Sequence, residues 1–259
     1  MIYKNQTALI TGASSGIGME YAKELAKRGT NLVLVARREA ALAALAGQLQ
    51  GEFGIKVATI PLDLSKRESG DKFVQELSKS GIGVDILINN AGFGTNSRVQ
   101  NEDRSRVQEE IQLNVGTLVD LTAALLPAML EKNSGAIVNI ASTAAFQPVP
   151  GMAVYAATKA FVLSFTSALW GEVKGTEVRI LTVCPGATAT EFFDVAGANP
   201  FGKLAPISDV VDATFKALDA KTPKPAVVVG RRNSIMAAAS RFIPTKSVIQ
   251  VAGSMFLKD

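Results

Sequence analysis

The strongest constraint on this 259-residue chain is its alternation of short apolar runs with longer stretches of helical periodicity. Residues 7–10, 31–36, 56–60, 84–88, 136–140, 178–183 and 226–229 are rich in Val, Ile, Leu and Ala, and polar residues rarely interrupt them. Runs of that kind predict strands buried on both faces, and a parallel sheet covered by helices is the structure that buries both. Helical spacing fills the intervals: Ile17, Tyr21 and Leu25, then Leu45 and Leu49, are four apart. Ser65-Lys66-Arg67-Glu68 is a capping-box pattern ahead of Phe73 and Leu77. Val107, Ile111, Val115, Leu118 and Leu121 mark the apolar face of a long fourth helix, and Phe161, Phe165 and Leu169 that of a fifth. The expected fold is α/β, a single-domain doubly wound (Rossmann) parallel sheet of about seven strands with helices on both faces. Its main body is expected over 1–230, with a substrate lid at about 187–205 and a C-terminal helical extension of the same domain over 231–259.

Composition narrows the chemistry. The chain has no His and a single Cys, Cys184. It can form no internal disulfide or Cys/His zinc site, and no metal is expected. Nucleophilic enzymes that rely on a His base are excluded as well. Acid–base work near neutrality would have to come from Tyr, Lys, Asp or Glu with a shifted pKa. The net charge of +4 belongs to the tail: from residue 221 onward there are seven basic residues and one acid, whereas residues 1–220 carry a net −2. No nucleic-acid partner is expected from that distribution. The longest uncharged run, 133–158, contains two Asn, a Gln and two Pro, which argues against a membrane span. With no secretory pattern at the start, a cytoplasmic setting is expected.

The chemistry-bearing residues cluster where strands should end. Gly12, Ser14, Ser15, Gly16, Ile17 and Gly18 follow the first strand and open the first helix. Glycines there permit a tight turn and let a pyrophosphate approach main-chain N–H groups at a helix N-terminus. The second strand ends in Arg37 and Arg38 where an acid would hold a free ribose 2′-hydroxyl, so NADP(H) is favoured over NAD(H). Asp63 and Leu64, and Asn90, Ala91 and Gly92, end the third and fourth strands on the same edge. Tyr155 and Lys159 share a helical face four residues apart, Ser142 lies just past the fifth strand, and Asn114 puts an amide on an apolar stripe.

On these motifs, in this order and spacing from Thr11 to Thr190, the chain resembles the short-chain dehydrogenase/reductase family, in its branch of single-domain chains. The wider sequence is similar to broad-range, NADP-preferring carbonyl reductases. The resemblance implies a nicotinamide-dependent oxidoreductase with an Asn114, Ser142, Tyr155 and Lys159 tetrad. Asp63 and its neighbour Leu64 would contact the adenine, and Pro185, Gly186, Thr188 and Thr190 would border the nicotinamide. Tyr155 would donate the proton, its pKa lowered by Lys159 together with the positive nicotinamide ring of the oxidised complex; Ser142 would hold the carbonyl oxygen, and Asn114 a water of the proton relay.

The substrate wall is expected from 146–152 and 191–204, with Phe146, Val149, Phe192, Phe193, Val195 and Phe201 pointing to a small hydrophobic carbonyl or alcohol substrate. Gly197, Pro200 and Gly202 would let this lid move. Ile235, Met236, Ala239, Phe242 and Ile243, then a set from Val248 to Leu257, give the basic tail (Arg231, Arg232, Arg241, Lys246, Lys258) two apolar faces. Packing over the lid or a neighbouring subunit is expected ahead of docking on a membrane surface, and the chain is expected to be a homodimer or homotetramer. A nucleotide-sensing regulator on the same fold is the alternative, but it would have no reason to keep the tetrad. A sugar-nucleotide epimerase would usually need a longer C-terminal substrate domain.

Overall fold

A computed structural model describes residues 3–257 apart from 80, 200, 201 and 241. The seven expected strands form one parallel sheet in the order β3-β2-β1-β4-β5-β6-β7. They are β1 (Thr7–Thr11), β2 (Asn31–Ala36), β3 (Val57–Pro61), β4 (Ile86–Asn89), β5 (Gly135–Ile140), β6 (Val178–Cys184) and β7 (Ala226–Val228). Helices α1 (Gly16–Lys27), α2 (Glu39–Phe53) and α8 (Ile207–Leu218) cover one face. Helices α3 (Arg67–Lys79), α5 (Thr117–Glu131) and α6 (Ala153–Glu172) cover the other face, α4 (Arg104–Ile111) packs beside α6, and the short α7 (Phe192–Ala196) follows β6.

Strand pleating explains the two layers. Ala8 and Ile10 of β1 pack with Tyr21, Leu25, Leu42 and Phe215, whereas Leu9 between them packs with Phe73, Leu121 and Met129. Successive side chains alternate across the sheet, so a continuous apolar strand serves two cores. The edge strand β3 has one neighbour and is only partly buried.

Several helical expectations are corrected. The capping box does not form: α3 begins at Arg67, and Asp63 Oδ1 accepts from both Ser65 N (3.0 Å) and Ser65 Oγ (2.7 Å). In the fourth helix a π-turn at Gln112–Gly116 joins α4 to α5. The turn inserts a residue and rotates the preceding face, leaving Ile111 45% exposed and burying Glu110 in its place. On α6, Val162 and Thr166 face the core and Phe161 is exposed, stacked on Phe165 at 5.7 Å.

The tail forms α9 (Arg231–Ala239) and α10 (Thr245–Phe256). Its expected apolar face is largely solvent-facing, because Ala237 is the residue α9 buries while Ile235, Met236 and Phe242 are exposed. Small and polar contacts hold it instead. Asn233 Nδ2 donates to Val229 O (2.8 Å), Ser240 Oγ to Phe146 O (3.2 Å), and Asn96 Nδ2 to Phe256 O (3.3 Å). Pro200 and Phe201 of the lid and Arg241, Lys258 and Asp259 of the tail lie outside the described residues.

Candidate active site

The carboxyl ends of the central strands carry the predicted residues. Thr11 ends β1, and its Oγ1 accepts from Asn90 N and Ala91 N, both at 3.0 Å. Asn90 Nδ2 donates back to Thr11 O (3.0 Å) and Gly12 O (3.3 Å), which locks the ends of β1 and β4 together. Gly12 has a φ of +67°, and a Cβ on Gly18 would stand 2.3 Å from Gly12 O and 2.6 Å from Asn90 Nδ2. Neither position has room for a side chain. Ser15 caps α1 without a side-chain hydrogen bond, and the first turn of α1 carries no acid. Its N–H groups and dipole are thus free for an anion, and the turn fits the pyrophosphate of a dinucleotide.

Arg37 is exposed, and among the described residues it makes no ion pair. Arg38 is engaged: Nε donates to Ser14 Oγ (3.2 Å), while Nη1 and Nη2 donate to the two Glu191 oxygens (3.1 and 3.0 Å). Ser15 Oγ also donates to Glu191 (3.0 Å), so the start of the lid is tied to the glycine turn. These contacts hold the Glu191 carboxyl below the usual range, Arg38 first. Nothing in the apolar reading of 191–204 singled out Glu191; a carboxylate directly after the Pro185–Thr190 turn was the available signal.

The tetrad converges behind Gly92–Thr95. A Cβ on Gly92 would lie 2.8 Å from Asn114 Oδ1 and 3.4 Å from Lys159 Nζ; one on Gly94 would lie 2.9 Å from the Tyr155 ring and 3.0 Å from Phe192. The glycines let this loop lie flat against Asn114, Tyr155 and Lys159. Asn114, buried in the π-turn, ties the loop down. Its Oδ1 accepts from Phe93 N (3.2 Å) and its Nδ2 donates to Phe93 O (2.9 Å) and Thr158 Oγ1 (3.1 Å). Both amide protons are used, so the side chain has no donor left for the water expected of it.

Lys159 is buried, and its Nζ donates to Ile140 O (2.8 Å). Burial pulls its pKa down to about 8. Tyr155 stands one turn earlier, with Lys159 Nζ 5.8 Å from its ring centre. Burial pushes the phenol up to about 12, against a smaller downward pull from the Ser142 hydroxyl. The Lys159 ammonium is directed at a main-chain carbonyl, and burial is the largest influence on the phenol. Ser142 Oγ also accepts from Ala144 N (3.1 Å), which caps the 3₁₀ turn Thr143–Phe146.

Phe192 packs on Tyr155 at 5.0 Å between ring centres, within a cluster that includes Val149, Met152, Phe193 and Phe256. Phe146 belongs to the neighbouring cluster with Val162 and Cys184, and Val195 is exposed. Gly186 lies against Asn233, a contact to the tail that the sequence reading missed. Thr188 pairs with Ala205, and Phe192 N donates to Thr190 Oγ1 (3.3 Å), which closes the lid segment on itself. Asp63 sits beside Leu64, whose carbonyl accepts from Thr117 Oγ1 (2.8 Å).

Comparison with known proteins matches the short chain dehydrogenase family model to residues 6–199. Ketoacyl reductase HetN of Nostoc sp. is 34% identical over 247 residues, 93% of this chain and 86% of that protein. The NADP-dependent 3-hydroxy acid dehydrogenase of Schizosaccharomyces pombe is 38% identical over 189 residues, covering 72% and 73%. Among solved structures, a short-chain dehydrogenase from Sphingobium yanoikuyae in complex with NADPH aligns with a TM-score of 0.82 at 34% identity, covering 92% of this chain and 94% of that one. The bulky-bulky ketone specific alcohol dehydrogenase from Comamonas testosteroni aligns with a TM-score of 0.78 at 32% identity, covering 92% and 93%.

Proposed function

The chain belongs to the short-chain dehydrogenase/reductase family of NAD(P)-dependent oxidoreductases, and from that premise we propose that it interconverts a small hydrophobic ketone or aldehyde and its alcohol with NADP(H). The observation that carries this reading is the convergence of Ser142, Tyr155 and Lys159 behind the Gly92–Gly94 loop, with Phe192 against the phenol. The relatives named for ketoacyl, 3-hydroxy acid and bulky-ketone substrates support a carbonyl or alcohol as the reacting group.

The nicotinamide, when bound, supplies or accepts hydride at the substrate carbon. Gly12, Ser14, Ser15, Gly16, Ile17 and Gly18 would hold the pyrophosphate. Asp63, Leu64, Asn90, Ala91 and Gly92 would line the adenosine side, and Pro185, Gly186, Thr188 and Thr190 the nicotinamide side. Lys159, whose Nζ already donates to Ile140 O, would offer its remaining protons to the ribose hydroxyls. In reduction Tyr155 donates its proton to the carbonyl oxygen; a phenol raised to about 12 is fully protonated at neutral pH, as an acid must be. Ser142 binds the same oxygen and stabilises the charge that grows there. Phe192 shields the reacting atoms from water, while Phe146 flanks the site from its own cluster. A homodimer or homotetramer would bury the exposed Ile111, Leu130 and Phe161. A cytoplasmic setting suits the lone, buried Cys184.

The reaction is tested by mixing the protein with NADPH and a panel of ketones, aldehydes and acyl thioesters while following NADPH absorbance. Cofactor choice has its own test. Arg37 is free to meet a 2′-phosphate, whereas Arg38 is held by Glu191 and Ser14. A charged hydrogen bond of about 1.5–3 kcal/mol corresponds to roughly ten- to a hundredfold in affinity. Arg37→Ala should raise the Kd for NADPH by that factor and leave the Kd for NADH unchanged. Equal weakening of both would move the contact to Arg38.

A further inference from the structure

Two formally charged side chains are buried among the described residues: Lys159, which the proposed reaction uses, and Glu110, which it does not. Glu110 is the penultimate residue of α4, one turn before Asn114, at the place where the π-turn rotates the helix and puts a carboxylate inward. Its Oε2 accepts from the buried Thr95 Oγ1 (2.8 Å), and its buried Oε1 has no hydrogen-bond partner among the described residues. Thr95 follows Gly94, whose backbone lies on the Tyr155 ring. The carboxylate is therefore placed behind the loop that covers Tyr155 and Lys159.

A carboxylate buried with an orphaned oxygen costs stability. A retained charge of this kind is most useful where a second buried charge needs it. We propose that Glu110 is a positioning residue of this enzyme, the buried counter-charge that favours the ammonium form of Lys159. The proposal rests on the reaction assigned above and deepens it.

The surroundings agree. Burial pushes the Glu110 carboxyl up to about 7, against the hydrogen bond from Thr95, and Glu102 raises it further. Lys159 and Arg106 pull it down. In return Cys184 and, after it, Glu110 raise the pKa of Lys159 against burial, and Glu110 also raises that of Tyr155. Above pH 7 an ionised Glu110 thus favours the proton on both catalytic groups. Losing that charge would lower both pKa values, and the alkaline limit of the reductive reaction would fall with them.

The direct test is the titration of Lys159 by NMR in the intact protein carrying ¹³C at lysine Cε, with its resonance identified from Lys159→Arg. In Glu110→Gln, which keeps the Thr95 hydrogen bond, the Lys159 midpoint should fall by about one pH unit. The alkaline limb of NADPH oxidation should move by the same amount. Stability gives an independent sign. The folded carboxyl titrates near 7 and the unfolded one near 4.5, so the folded state holds more protons between them, and wild-type stability falls as pH rises across that window. Glu110→Gln should remove this fall and melt higher than wild type above pH 7, whereas loss of a purely structural contact would lower Tm at every pH.

Thr95→Val, which leaves the carboxylate but removes its hydrogen bond, should shift the Lys159 midpoint in the same direction by less. It keeps the question answerable if Glu110→Gln folds poorly. An unshifted Lys159 midpoint in the two variants would overturn the role of Glu110. The NMR titration needs no substrate, so failure to reduce any carbonyl would refute the proposed reaction and not this electrostatic link.

Discussion

Tyr155→Phe should abolish nearly all turnover while NADPH binding stays close to wild type. The ring packs between Gly94 and Phe192 with or without its hydroxyl, so the substitution removes a proton donor and little else. Loss of a general acid costs about 10²–10⁴ in rate. Measured on the best carbonyl from the panel, kcat should fall by that factor and the fluorescence-derived Kd for NADPH should not move. A variant that retains more than a tenth of wild-type kcat would show that the proton comes from elsewhere.

Lys159→Met should separate activity from stability. The methionine fills about the same volume without the charge, so ribose binding and the phenolate that Tyr155 becomes on giving up its proton both lose their support, and kcat should fall at least about a hundredfold. Stability should move little at pH 7, because two effects oppose each other. Ile140 O loses its partner, which costs about 1–3 kcal/mol. The penalty for burying an ammonium disappears at the same time. That ammonium titrates near 8 in the fold and near 10.5 when unfolded, so the unfolded state binds more protons over that window. The penalty is complete below pH 8 and fades as pH rises to 10.5, at about 1.4 kcal/mol per unit of pKa difference. Urea unfolding at pH 7 and pH 10 checks the sign: relative to wild type, the variant should be more stable at the lower pH than at the higher one.

The strands and the glycine turn were legible in the sequence because burial on both faces leaves a continuous apolar run and a tight turn leaves glycine. Leu9, Leu87 and Ile137 are buried whichever neighbours they meet, so local composition sufficed. The four residues stood out singly, Tyr155 and Lys159 by a shared helical face, Asn114 as an amide on an apolar stripe and Ser142 just past a strand, and the family resemblance is what joined them into a tetrad. What escaped depends on contacts between distant segments. Glu191 meets Arg38 across 153 positions, and Asn96 meets Phe256 across 160. The π-turn escaped for a different reason. A single inserted residue keeps the helix going, so 3.6-residue periodicity extends smoothly through it, yet it turns Ile111 outward and Glu110 inward. Asn114 was identified as polar on an apolar stripe, but its task of pinning Phe93 follows from the loop above it.

In the proposed reaction Tyr155 acts as the acid, and its burial, with the Glu110 charge behind it, holds the proton on the phenol against the smaller pull of the Ser142 hydroxyl. The direct measurement is transfer of label from NADPH deuterated at nicotinamide C4, with either face labelled in turn, to a ketone accepted by the protein. One of the two labelled forms should deliver deuterium to the carbinol carbon of the alcohol, mole for mole with NADPH consumed, and Tyr155→Phe should deliver essentially none. Tight NADPH binding with no deuterium in the alcohol from either form, or equal transfer by Tyr155→Phe, would contradict the account.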